Sequence, residues 1–224
     1  MFIQSRCEGN VNRILLLVLA LTIDTLRVTH LYAEKGVKDQ KCLIIHFIRH
    51  ASVEKLPGAI YGYLGPQLSE IGIEQVKNLA CILRGRNIQH LYTSPQRRAV
   101  MTAQLLADLV GGVTVRIEDR IRERNWGSTE GVNDLQNFLS NHPEHTIEPL
   151  ELHIKRLQLF FRELIDLGES EVFIVGHSCF CDSLFEYFES LQCIKKESLS
   201  NCGMANFMYD DRNKTMEIIG VRNI

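Results

Sequence analysis

The hydrophobic pattern changes its period along the chain. Leu43–Ile48 (LIIHFI) is a short, nearly unbroken apolar run, the signature of a strand covered on both faces. "SEIGIEQVKNLACILRGR" follows with Ile73, Val76, Leu79, Ala80 and Leu83 at helical spacing and Ser69 as its N-cap. "IQHLYTS" predicts a second strand. "SPQRRAVMTAQLLADLVGG" predicts a helix with Ser94 at the N-cap, Pro95 at the first helical position and Gly111-Gly112 as its stop. "VTVRI" predicts a third short strand, "EPLELHIKRLQLFFRELIDLG" an amphipathic helix, "EVFIVGHS" a buried strand and "CFCDSLFEYFESL" another helix. "ANFMYDD" and "TMEIIGV" predict a closing pair of strands around a turn at Asp211–Lys214. The polar stretch from Glu118 to about His145, with the single tryptophan Trp126, predicts loop and short helix.

Strands alternating with helices imply an α/β fold, a three-layer α/β/α sandwich around a mainly parallel sheet. The predicted organisation is an N-terminal extension, residues 1–38, and one main domain, residues 39–224. The extension carries an apolar run from Ile14 to Ile23 behind Arg13. That run is shorter than the roughly 20 residues a bilayer span needs. It has the length of a signal-peptide core, but Asp24 and Arg27 follow it, and a cut after Ala33 would place Leu31 where a small residue is wanted. A packed or membrane-surface helix fits it equally, so the expected location is cytoplasmic, with export or membrane association through residues 13–33 as the alternative.

Composition narrows the function. A formal net charge of -2 lacks the basic excess of a generic nucleic-acid binder, so no nucleic acid is expected as partner. The 7 cysteines are odd in number and scattered, and several fall in apolar stretches, which favours reduced thiols. His177-x-Cys179-x-Cys181 has metal-ligand residue types but no second pair at zinc-finger spacing, and no metal is assigned.

The candidate chemistry sits at strand ends. The first buried strand runs out at Arg49-His50 and the later one at His177-Ser178. If both are central and parallel, both histidines emerge at the sheet edge where open α/β folds bind their ligands. Arg98 lies in the first turn of a helix that opens at the same edge, where backbone N–H groups favour an anion and a cation opposes the dipole. A bound anion would account for that placement.

In this order the residues resemble the histidine phosphatase superfamily, which includes the phosphoglycerate mutases. Arg49-His50-Ala51 stands where that family has Arg-His-Gly. Ser94, Pro95, Arg98, Ala99, Thr102 and Ala103 match its second signature, Glu123 with Gly127 and Glu130-Gly131 its third, and His177-Ser178 its closing His-Gly. Weaker echoes are "IYGYLGPQLSEIGIEQ" and the spacing of Glu148 and Arg156. The sequence departs from the pattern at Ala51, Ser178, Gly65 and Gln67, and at Leu56, where mutases carry asparagine. The resemblance implies a metal-independent phosphatase, without cofactor, acting on a phosphorylated small molecule. In it His50 is the nucleophile, Glu123 the acid and base, and Arg49, Arg98, His177 and Ser178 the phosphate donors, with His177 also part of the catalytic set. A mutase-type phosphotransferase and a catalytically silent phospho-ligand binder are the alternative readings of the same fold.

Overall fold

A computed structural model describes residues 42–54, 65–130, 132, 135–142, 146–187 and 199–223. The N-terminal extension, the segment containing Leu56 and most of "GAIYGYLG", and Gly131 lie outside the described residues. The elements are β1 (Cys42–Arg49), α1 (Glu70–Leu83), β2 (Leu91–Thr93), α2 (Arg97–Val110), β3 (Val115–Ile117), α3 (Leu135–Asn141), α4 (Leu150–Asp166), β4 (Glu171–Gly176), α5 (Ser178–Tyr187), β5 (Met204–Asp210) and β6 (Thr215–Arg222). Single 3-10 turns at Asp119–Ile121 and Gly127–Thr129 occupy the polar stretch after β3.

The six-stranded sheet has the order β3-β2-β4-β1-β5-β6. β1, β2, β3 and β4 are mutually parallel, and the β5–β6 hairpin adds antiparallel to β1. The mainly parallel sandwich expected from the alternation of periods is the fold observed.

β1 explains the layering. Leu43, Ile45 and Phe47 pack with Leu157, Phe161 and Leu164 of α4 and Phe180 of α5 on one face. Ile48 packs with Val76 and Leu79 of α1 and Ala103 and Leu106 of α2 on the other. A strand so covered must be apolar at successive positions, as its sequence is. His46 is tolerated there because its ring stacks on Phe173, 4.4 Å between centroids, with its nitrogens 2.7 Å from Asn206 Oδ1 and Glu171 Oε1.

The helix readings need two adjustments. Ser69 does cap α1, accepting from the N–H of Gly72, but Ile73 is turned outward and Gly72 takes the inner position. A Cβ on Gly72 would stand 2.0 Å from the Ser52 carbonyl oxygen, so only glycine lets this helix approach the loop after β1. Ser94 does not cap α2. The helix begins at Arg97 behind Gln96, which gives no side-chain cap, because the Ser94 hydroxyl is engaged with the Gln96 and His177 side chains.

Candidate active site

β1 and β4 pair in register, Arg49 opposite Gly176, so the next residue of each strand is a histidine. His50 and His177 leave the sheet side by side, with ring centroids 5.3 Å apart. β2 lies on the far side of β4, and Ser94, just past its end, donates its backbone N–H to the Val175 carbonyl. This carries the start of α2, and Arg98 with it, to the same edge. Arg98 is 2% exposed, which excludes the solvated role that suits Arg97.

The protonation pattern of His50 follows from its neighbours. Nδ1 lies 2.8 Å from the Ala51 carbonyl, an obligate acceptor, and so carries the proton. Nε2 accepts from Arg98 Nε at 3.2 Å and therefore presents its lone pair. Burial first, and then the charges of Arg98 and Arg49, lower the His50 pKa to about 3. The imidazole is neutral at ordinary pH, with Nε2 its nucleophilic atom. The main chain is fixed as well: His50 N donates to Gly176, Asn201 Nδ2 donates to the His50 carbonyl at 2.8 Å, and Ala51 N donates to Thr102 Oγ1 at 3.0 Å. Ala51 itself is fully buried, its methyl absorbed by the core beneath the site.

Glu123 reaches this cluster from the loop after β3. Its Oε2 lies 3.4 Å from His177 Nδ1 and 3.8 Å from Arg98 Nη2, and its side chain is 11% exposed. Oε1 accepts from the Cys179 thiol and from the backbone N–H of Arg124. Burial pushes its pKa up, against the opposing pull of the Cys179 hydrogen bond and the Arg98 charge. A surface pairing of Glu123 with Arg122 or Arg124 side chains is not what the chain adopts. Arg122 pairs with Asp119 and Glu148, and the Arg124 guanidinium donates to the Glu148 carbonyl and lies over Trp126.

His177 is 1% exposed, and burial followed by the charge of Arg98 drives its pKa well below the usual histidine range. Arg49 donates from Nη1 to the Leu199 carbonyl at 2.6 Å, while its buried Nε has no partner among the described residues. Ser178 opens α5 directly after His177. The fold thus gathers Arg49, His50, Arg98, Glu123, His177 and Ser178 at one edge of the sheet. Gln67 accepts from Arg97, the neighbour of Arg98, and donates to Glu54.

Behind the site, Arg156 makes a bidentate pair with Glu148 and donates to the carbonyls of Arg120, Arg122 and Glu123. The faint Glu148–Arg156 spacing in the sequence is therefore a clamp on the loop that carries Glu123. Gln96 and Cys179 are both in contact with the site, Gln96 with His177 and Cys179 with Glu123, and the sequence carries no signal for either contact. Each is a residue type with a common structural use, and only the fold supplies the partners that give it a role here. Among the described residues, no cluster of histidine, cysteine, aspartate and glutamate has the form of a metal site, and no helix is long and apolar enough to cross a membrane.

The likeness to known proteins agrees with this geometry. The family model of the histidine phosphatase superfamily (branch 1) matches residues 45–221. A Hydrogenobacter thermophilus protein provisionally named phosphoserine phosphatase 2 is 31% identical over 147 residues, 59% of this chain and 72% of its own length. Among solved structures, a mycobacterial glucosyl-3-phosphoglycerate phosphatase superposes with a TM-score of 0.65 at 20% identity, over 81% of this chain and 99% of that one. A phosphoserine phosphatase from Entamoeba histolytica, solved in complex with 3-phosphoglyceric acid, does so with a TM-score of 0.62 at 24% identity, over 81% and 98%. Those structural matches carry the fold, and the family model carries the membership: the chain belongs to the histidine phosphatase superfamily.

Proposed function

We propose that the protein is a metal-independent phosphoric monoester hydrolase that works through a phosphohistidine on His50. The observation that carries the reading is the state of the His50 ring, with Nδ1–H committed to the Ala51 carbonyl and the Nε2 lone pair held beside Arg98. A histidine is an effective nucleophile when one nitrogen is kept neutral and aimed.

In the first step Nε2 attacks phosphorus, the P–N bond forms, the P–O bond to the alcohol breaks, and the leaving oxygen takes the proton of the Glu123 carboxyl. In the second, the Glu123 carboxylate takes a proton from water, the water oxygen attacks phosphorus, and the P–N electron pair returns to Nε2. Phosphate leaves with Glu123 protonated again. The raised pKa of Glu123 suits its starting role as an acid. Arg49, Arg98, His177 and the N–H groups at the start of α5, with the Ser178 hydroxyl, supply fixed donors for the phosphoryl oxygens. A phosphorylated small molecule is the proposed substrate class. A reducing, cytoplasmic compartment suits the buried Cys179 and Cys202 thiols.

The test is hydrolysis of p-nitrophenyl phosphate in EDTA by wild type and His50→Ala, with a parallel quench for acid-labile phosphate on the protein. Activity that survives chelation, is lost in the variant and passes through acid-labile phosphate is the expected result. Phosphate-ester binding without turnover by folded wild type would favour a silent binder and overturn the reading.

A further inference from the structure

Asn223 stands just past β6 and far along the chain from Arg49, yet its Oδ1 accepts from the Ser200 backbone N–H at 2.7 Å. A backbone N–H can only donate, which fixes the amide with its oxygen toward Ser200. The sheet delivers it there. β6 pairs with β5 so that Arg222 is opposite Met204, and the next residue of β6 meets the turn that leads into β5.

That turn, residues 199–203, is built around the end of β1. Gly203 N closes it on the Ser200 carbonyl at 2.8 Å, Cys202 N donates to the Arg49 carbonyl at 3.0 Å, and Arg49 N donates to the Gly203 carbonyl at 3.1 Å. Buried Cys202 has a φ of +59°, which a residue with a Cβ keeps only where its surroundings impose it. These backbone bonds do not involve Asn223. The Arg49 guanidinium is held differently, by one bond from Nη1 to the Leu199 carbonyl at 2.6 Å.

The Leu199 carbonyl and the Ser200 N–H belong to the same planar peptide group, and their two ends point in opposite directions. Asn223 thus grips one end of the plate whose other end grips Arg49. A hydrogen bond at the N–H also strengthens the carbonyl as an acceptor. With Nη1 engaged, the guanidinium keeps Nε–H and the adjacent Nη2–H as a parallel fork. Nε is buried and has no hydrogen-bond partner among the described residues. Such a fork matches two oxygens of a phosphoryl group.

We infer that Asn223 is a positioning residue: through the Leu199–Ser200 peptide it fixes Arg49 Nη1, and so commits the Nε and Nη2 edge of Arg49 to the substrate's phosphoryl oxygens. This deepens the phosphatase reading and rests on it for the role of Arg49. Without an acceptor at position 223 the peptide plane tilts, the Nη1 bond weakens, and the long side chain spreads over several rotamers that substrate must then reorder. The main-chain bonds of the turn persist, so the loss falls on the guanidinium and not on the sheet.

The test is a double-mutant cycle read by kcat/KM on p-nitrophenyl phosphate and by the Kd for inorganic phosphate. Asn223→Ala alone is expected to lower kcat/KM about tenfold and to raise the Kd by a similar factor. Arg49→Ala should be about 10²–10³-fold slower than wild type, and adding Asn223→Ala to it should change neither quantity further. An equal loss from Asn223→Ala in both backgrounds would mean a purely structural role and overturn the proposal. Asn223→Leu repeats the cycle with a side chain of nearly the same shape should alanine prevent folding. In wild type, the Arg49 Nε–H signal in proton–nitrogen NMR, assigned by its loss in Arg49→Lys, should move downfield when inorganic phosphate binds, and move less in Asn223→Ala. An Nε–H unmoved by bound phosphate would overturn the proposal whether or not any variant folds. Phosphate binding is read without turnover, so it stands apart from the phosphatase reading, whose failure would show instead as activity in His50→Ala.

Discussion

Arg49 and Gly176 are paired across two parallel strands, and this pairing sets His50 beside His177. A Cβ at position 176 would lie 2.8 Å from Phe47 Cε2, and the Phe47 ring is stacked on Phe180 of α5 at 4.2 Å. Gly176→Ala is therefore an overpacking change directly beneath the site. It is expected to cost about 1–3 kcal/mol, read from the urea midpoint, with kcat falling more than KM changes.

Glu123→Gln separates the proton from the rest of the chemistry. The amide keeps the shape and loses the acid, so an alkyl phosphate should be hydrolysed about 10²–10⁴-fold more slowly. Phosphorylation by p-nitrophenyl phosphate should be much less affected, seen as a burst of nitrophenol followed by a slowed steady state, because the second step still needs the base. Equal losses in burst and steady state on both substrates would remove Glu123 from the acid role.

The Glu148–Arg156 clamp gives a prediction about both stability and rate. Arg156, and behind it the N–H of Asn125, hold the Glu148 carboxylate at a pKa of about 2 against the desolvation that would raise it. The folded value lies below the ordinary 4.5, so the stabilisation is present above about pH 4.5 and is lost as pH falls toward 2. Arg156→Ala takes the bidentate partner from a nearly buried carboxylate, leaving it the longer Arg122 contact and the Asn125 N–H, and is expected to cost about 3 kcal/mol at neutral pH. The gap between wild type and Glu148→Gln in urea should narrow as the pH is lowered. At neutral pH the Glu148→Gln enzyme should lose kcat, since the Glu123 loop is no longer fixed.

His153 on α4 is 1% exposed, and burial, reinforced by the Arg156 charge, lowers its pKa to about 3. The unfolded chain takes up a proton near 6.5 while the folded one does not, so stability declines as pH falls from about 6.5 to about 3 and levels off below. His153→Phe removes that contribution. Its midpoint in urea should fall less than that of wild type between neutral and acidic pH, and an unchanged pH slope would contradict a neutral buried His153.

Much of this arrangement is legible along the chain because strand and helix periods are local. The apolar runs before Arg49-His50 and His177-Ser178 mark covered strands, and the Ser94–Ala103 motif marks the arginine that joins them. What escaped were residues whose partners come from elsewhere in the fold. Ser94 and Gln96 follow ordinary capping chemistry until β4 brings His177 against them, and then the hydroxyl leaves the helix end. Cys179 looks like one more buried thiol until the loop after β3 lays Glu123 on it. Ile73 fits a helical stripe, but the buried stripe, which keeps Val76, Leu79, Ala80 and Leu83, begins at Gly72 instead, because glycine is what the Ser52 backbone will accept. Position within an element could be read from period, whereas orientation at the contact depended on a surface formed by other elements.

The placement of β1 between β4 and β5 has a consequence for how the enzyme comes into being. Arg49, His50, Arg98 and Glu123 are all in the chain well before β4 is made, yet His177 and the carbonyl that accepts from His50 N belong to β4 and the turn beyond it. Until that late strand slides in between β1 and β2, the first two strands have no common partner to join them, and the nucleophile lacks the wall against which it is oriented. A nascent or clipped polypeptide ending before Glu171 has most of the reactive groups and no site. Recovery of turnover during refolding should consequently coincide with the last, slowest closure of the sheet, not with the earlier appearance of helix.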